Sequence, residues 1–180
     1  MEYLAHIRKK DGAKQYLFEH LEGVAEKSRE FTSKIGLRKQ GELLGLLHDF
    51  GKYSDEFQNY LKSAGGFINP DEDDYIDAQG MRGRIDHSTA GAQFLFQQLS
   101  DKGNESKLVT QILSLCIASH HSGLIDCVSP DGKDVLTFRM KKSGDKTHYE
   151  EVITKIDESI LRKAEELLSD PDTKEALVKF

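Results

Sequence analysis

Six side chains of two types carry the chemistry legible in this chain. An adjacent His48-Asp49 pair is followed by Gly51-Lys52, with His20 upstream and His87 and the doublet His120-His121 downstream. Imidazole and carboxylate hold divalent transition metals, and one carboxylate bridges two ions as an imidazole cannot. The set points to metal-dependent hydrolysis of a phosphoester with up to two ions. Mn, Fe, Co, Ni and Zn all suit such donors, and Mg is also admissible.

Each candidate lies in or beside an apolar helical segment, where an unpaired polar group costs about 2 to 7 kcal/mol. A shared metal removes that cost. Taken singly, His20 and His87 read as satisfied core or boundary histidines. Asp49 alone reads as a helix-terminal residue bonded to Lys52, although a negative charge opposes the helix dipole there. The unit His48-Asp49-x-Gly-Lys is far more specific than its parts. Neighbours on a helix point about 100° apart, so His120 and His121 share a site only at a helix end or around a metal pair. Ser122-Gly123 supplies such an end. Lys52 is placed to reach a substrate phosphate from the rim, or is a solvated lysine beside Asp55 or Glu56. His6 and His148 fall outside apolar helical faces and read as surface or loop residues without a metal role.

The elements that must position these groups are helical almost throughout. Leu17, Leu21, Val24, Ala25, Phe31 and Ile35 mark one helix face around His20, ending near Gly36. Leu43, Leu44, Leu46, Leu47 and Phe50 form a more buried run carrying His48 and Asp49 at its end, where Gly51 interrupts it. Phe57, Tyr60 and Leu61 predict a short helix. Residues 62–86, with Gly65-Gly66, Asn69-Pro70 and the acidic cluster Asp71 to Asp74, predict a long polar loop. Helix resumes over Ser88 to Leu99, and the near-continuous apolar run Leu108 to Ala118 predicts a central buried helix ending at His120-His121. Residues 126–148 predict a second polar loop, with Val135 to Met140 as a strand candidate. A last helix spans about Tyr149 to Leu168, broken by Asp170-Pro171-Asp172. The expected fold is all-α, a helical bundle with long loops around 62–86 and 126–148. Neither an internal repeat nor a low-complexity tract interrupts it.

A chain of 180 residues, 37% apolar and 31% charged, fits one soluble domain. The net charge of −6 repels nucleic acid and anionic membranes in bulk, so a nucleic-acid partner must be captured locally. Two bound divalent ions add about four positive charges where a phosphate would sit. The two cysteines, Cys116 and Cys127, form neither a C-x-x-C pair nor a disulfide framework. Residues Met1 to Lys10 lack a signal-peptide core, and no later apolar run spans a bilayer. A cytoplasmic protein is expected.

Four blocks in order carry a family resemblance: Glu19-His20-Leu21 with Val24-Ala25, Leu47-His48-Asp49-Phe50-Gly51-Lys52, Asp86-His87-Ser88 with Gly91, and Ala118 through Leu124. Together they resemble the HD superfamily of metal-dependent phosphohydrolases. More narrowly they look like the HD nuclease domain of the CRISPR-associated type I helicase-nuclease, as does the Ser54 to Leu61 extension, with coverage from about Tyr3 to Asp126. The resemblance implies an all-α HD fold with His20, His48 and Asp49 serving one ion, and Asp49, His87, His120 and His121 the other. It implies Lys52 stabilising charge on the phosphate. It further implies single-stranded DNA as substrate, exposed by an RNA-guided surveillance complex and delivered by an attached helicase, in antiviral interference.

Two departures accompany the resemblance. The family pattern has one more aspartate downstream of the doublet, completing the first ion's site, and Asp157, the aspartate of the helix after residue 149, sits in a different context and is not assigned. A Gly-rich nucleotide-binding loop is also missing, so no helicase is expected within it, and the chain is expected to be a single domain, either a stand-alone nuclease subunit or, the favoured reading, a piece of a longer protein truncated at its C-terminus. Two other functions stay open. The same ligands serve hydrolysis of mononucleotides or cyclic nucleotides, for which an enclosed pocket would speak, and an incomplete metal site would leave a docking domain that binds without cleaving.

Overall fold

A computed structural model describes residues 2–81, 83–100, 103–121 and 123–179. The chain opens on an antiparallel hairpin, β1 (Leu4–Ile7) with β2 (Lys14–Tyr16), and is otherwise built from helices. The mainly α expectation holds, and the hairpin is an addition to it. Its turn carries Asp11-Gly12, whose glycine sits at φ 70°.

Helix α1 (Leu17–Ser33) buries Leu17, Leu21 and Ala25, one face at four-residue spacing. Helix α2 (Arg38–Leu47) packs on it so closely that a Cβ on Gly45 would lie 2.4 Å from Ala25 Cα. Glycine is what lets the two backbones touch. After α2 the chain makes a single 3-10 turn over Phe50–Tyr53. Ser54 then caps α3 (Asp55–Ala64) by accepting the Phe57 N–H. Helices α4 (Thr89–Leu99) and α5 (Asn104–Ser119) pack together over Phe94, Leu95, Leu99, Val109, Leu113 and Ile117, which join Leu43, Leu46, Leu47 and Phe50 in one core.

The loop and helix boundaries differ from expectation in several places. Helix α3 runs on to Ala64, so the first irregular segment begins at Gly65 and lasts to the start of α4. The run Val135–Met140 is a helix, α6, not a strand: Asp134 accepts the Thr137 N–H at 2.8 Å, and Leu136 and Met140, four residues apart, are its buried positions. A further short helix, α7 (Gly144–Thr147), lies in the same stretch, so 126–148 is not simply a loop. The expected last helix is two, α8 (Tyr149–Lys155) and α9 (Glu158–Ser169), because Ile156 is extended and Asp157 starts a new cap on the Ser159 N–H. Asp170-Pro171 both ends α9 and starts α10 (Pro171–Val178), with proline at the first turn, where its missing N–H costs nothing. Helix α5 is buried on one face only, since Leu108 is half exposed and Cys116 is exposed.

Candidate metal centre

The Asp49 carboxylate is the hub. It is 2% exposed, and its two oxygens face different partners. Oδ2 lies 3.0 Å from His20 Nε2, 3.1 Å from His48 Nε2 and 2.9 Å from Lys52 Nζ. Oδ1 is buried without a hydrogen-bond partner among the described residues. It faces His120 Nε2 at 3.4 Å and the Nε2 atoms of His87 and His121 at 3.9 Å. One ligand atom each from Asp49, His87, His120 and His121 fall within 4.8 Å of one another.

The local sequence explains how these groups meet. His48 keeps helical geometry as the C-cap of α2, and Asp49 then leaves the helix at φ −111°, ψ 22°. The Gly51 N–H donates to the His87 carbonyl at 3.1 Å, and a Cβ on Gly51 would lie 2.4 Å from His87 Cα. A Cβ on Gly91 would meet the Leu47 carbonyl oxygen in the same way. These two glycines seat the start of α4 against the end of α2. Asp86 fixes the turn before α4, accepting from the N–H groups of Ser88 and Thr89 and from Thr89 Oγ1. Arg139 of α6 donates to Thr89 Oγ1 at 2.9 Å and Ser88 Oγ at 3.1 Å, bracing the turn from outside. His120 and His121 reach the site together because α5 ends there, with ring centres 4.0 Å apart. Ser122, expected to help form that end, lies outside the described residues.

Protons decide what this cluster can hold. His48, His87 and His120 aim Nδ1 at the backbone carbonyls of Gly45, Ile85 and Ile117, at 2.8, 3.1 and 2.7 Å. A carbonyl only accepts, so each Nδ1 carries a proton and each ring turns Nε2, the atom left to ligate, toward Asp49. The same backbone tether orients imidazoles that bind metals. Burial pushes the Asp49 carboxyl up, but the imidazoles of His120, His20 and His48 outweigh it and hold it well below the usual carboxylate range. Burial lowers the His87 imidazole to about 4, against the pull of Asp49 and the Ile85 carbonyl. His121 is lowered as well, by burial and by His120. The donor set, its tethered rings and the orphaned Oδ1 fit a divalent cation.

Two residues sit other than expected. Lys52 is not on the rim: it is buried, its ammonium bound to Asp49 Oδ2 and to the Ala5 carbonyl at 3.2 Å, 5.4 Å from the Phe57 ring centre. His6, read as remote, stands 4.9 Å from His20 ring to ring, and its ligand atom falls within 4.8 Å of those of His20 and Asp49. Burial, then Lys52 and His20, lower its imidazole to about 4. The signal that could have found it is the Asp11-Gly12 turn between Leu4–Ile7 and Lys14–Tyr16, a hairpin that folds His6 back over the start of α1. His148 does lie apart, in left-handed conformation at φ 54°, between Glu56 at 2.6 Å and Glu151 at 3.3 Å. Asp157 spends its carboxylate capping α9.

A mainly helical fold that brings an adjacent His-Asp pair, its aspartate buried, and further imidazoles onto one carboxylate defines the class of HD-type metal-dependent hydrolases. A family model described as Cas3, HD domain matches residues 9–178, and the chain belongs to that family. It is an HD-type hydrolase of the CRISPR Cas3 kind. No curated protein matches the chain.

Proposed function

We propose that the chain is a nuclease that hydrolyses phosphodiester bonds of single-stranded DNA, using two divalent ions that share Asp49. The observation that carries this reading is the division of the carboxylate: Oδ2 faces His20 and His48, and the unpaired Oδ1 faces His87, His120 and His121. Two such ions, when bound, activate water and neutralise charge on a phosphodiester laid across them. The protein's part is to hold the ions and leave one side open. His48, His87 and His120 are oriented by backbone carbonyls, so their lone pairs are in place before any ion arrives. Lys52 acts through Asp49: it offsets the charge of Oδ2 and fixes the plane of the carboxylate, and it is a positioning residue more than a phosphate contact.

The His121 side chain is 55% exposed while the other ligands are largely covered, so the site opens on the Oδ1 side. An open edge suits a polymer strand better than a small nucleotide that must be enclosed. With a net charge of −6 the surface gives little general attraction for DNA, so the strand is captured at the ions and delivered by partners. We place a helicase domain or subunit and an RNA-guided surveillance complex in that role, within CRISPR interference. No helix among the described residues is long and apolar enough to cross a membrane.

The test is metal content by mass spectrometry beside cleavage of labelled single-stranded DNA, duplex DNA and free nucleotides, for the chain and Asp49→Ala. Mn- or Co-dependent cutting of single strands, lost at least a hundredfold in Asp49→Ala with helical content kept, is expected. Hydrolysis of free nucleotides without strand cleavage would overturn the substrate, and undiminished activity of Asp49→Ala would remove the shared ligand.

A further inference from the structure

We infer that His6 is a ligand of the ion on the Oδ2 side, joining His20, His48 and Asp49. This rests on the two-ion reading above and adds to it a residue that lies before the span matched by the family model, which begins at residue 9. His20, His48 and Asp49 provide three donors, fewer than the four that transition metals commonly take. Asp157 is engaged at the α9 cap, where it accepts from the Ser159 N–H and hydroxyl. His6 stands beside His20 and Asp49 as a further donor.

Its geometry is close to that of a ligand. One ligand atom each from His6, His20 and Asp49 fall within 4.8 Å of one another, and the two rings meet edge to face at 4.9 Å. Tetrahedral metal bonds of about 2.1 Å set donor atoms about 3.4 Å apart, so binding would draw the His6 ring inward. His6 is exposed and His20 half-buried, while the buried Lys52 already occupies one direction around Oδ2.

The placement of His6 is built into the hairpin. Leu4 pairs with Tyr16 and His6 with Gln15, so Ala5 is an extra residue on β1, a bulge. An uninterrupted strand would send Leu4 and His6 to the same face. The bulge lets Leu4 and Ala5 both bury and re-aims His6, a device common beside active sites. The bulged backbone is tied to the same turn that carries Asp49. Gln58 exchanges two hydrogen bonds of 2.9 Å with the Leu4 peptide groups, and Lys52 Nζ bridges the Ala5 carbonyl and Asp49 Oδ2. The carboxylate and the imidazole are thus held to one frame by a single lysine.

The experiment is metal titration of the full chain and of His6→Ala and His6→Gln with Co(II), reading ions bound per chain and the visible Co(II) spectrum, beside His20→Ala, His87→Ala and the remote His148→Ala. Both His6 variants should lose one ion, or bind it at least tenfold more weakly, and keep the other, matching His20→Ala and not His148→Ala. If His6 variants fold poorly, the wild-type chain still answers: the His6 ring protons should show large paramagnetic shifts when Co(II) is loaded. Unchanged binding in folded His6 variants, or His6 signals unmoved by Co(II), would overturn the inference while leaving two ions in place. Loss of metal in none of the site variants would sink the two-ion reading itself, and this inference with it.

Discussion

At the scale of single residues, the carboxylate of Asp49 and the ammonium of Lys52 form a buried pair in contact with a further group, the Ala5 carbonyl. Breaking a buried pair by removing one partner costs about 3 to 5 kcal/mol, because the other charge is left uncompensated. Bound ions would supply that compensation. Lys52→Met, which keeps most of the apolar stem, should therefore lower the stability of the metal-free chain by about that amount and cost clearly less once Mn or Co is saturating. Urea melts with and without metal check this, and equal losses in both would mean that Lys52 supports the hairpin alone. The six candidate residues named from the sequence meet around one carboxylate, and their types and order made them legible: His-Asp at a helix end, a histidine before a helix, a doublet after one. The position of Lys52 was not legible. Its spacing from His48 is equally compatible with rim and interior, and only the hairpin, which covers it, decides.

Among the elements, the close approach of the 3-10 turn to the start of α4 sets the Oδ1 side of the centre. Gly51→Ala would place a methyl 2.4 Å from His87 Cα, where backbone must move to admit it. We expect this variant to lose or weaken the ion of His87, His120 and His121 and to retain that of His20 and His48, as read by bound metal per chain. Equal retention of both would show that α4 shifts without carrying His87 away. The long helices were readable because their apolar periodicity is strong, as in Leu17, Leu21 and Ala25. The short ones were not. Val135–Met140 has the β-branched and aromatic composition of a strand, yet the Asp134 cap and the burial of Leu136 with Met140 make it α6. Tyr149 to Leu168 kept one apolar stripe across a break that Asp157 imposes locally, by bonding its own backbone two residues on. The bulge at Ala5 leaves no periodic trace at all, and with it went His6.

For the molecule as a whole, the centre makes stability depend on acid. His87 takes a proton near 6.5 when unfolded but only at about 4 when folded, because burial disfavours its charge. Between those values the unfolded chain binds a proton the folded chain does not. The stabilisation is complete above about pH 6.5 and is lost as pH falls through that window, amounting to at most about 3 kcal/mol. Thermal melts of metal-free protein should show this decline, and a melting temperature level from pH 6.5 to 4 would contradict it. A last consequence follows from where the imidazoles come from. His20, Asp49, His87 and His120 belong to four segments far apart in the chain, and although the backbone tethers of the imidazoles are local, the groups meet one another only when α1, α2, α4 and α5 have docked. Contacts of such long range are closed late in folding. An ion that needs all of them finds no foothold in the transition state, so loading metal should leave the folding rate nearly untouched and act on the rate of unfolding instead, turning a chain that opens readily into one that stays shut.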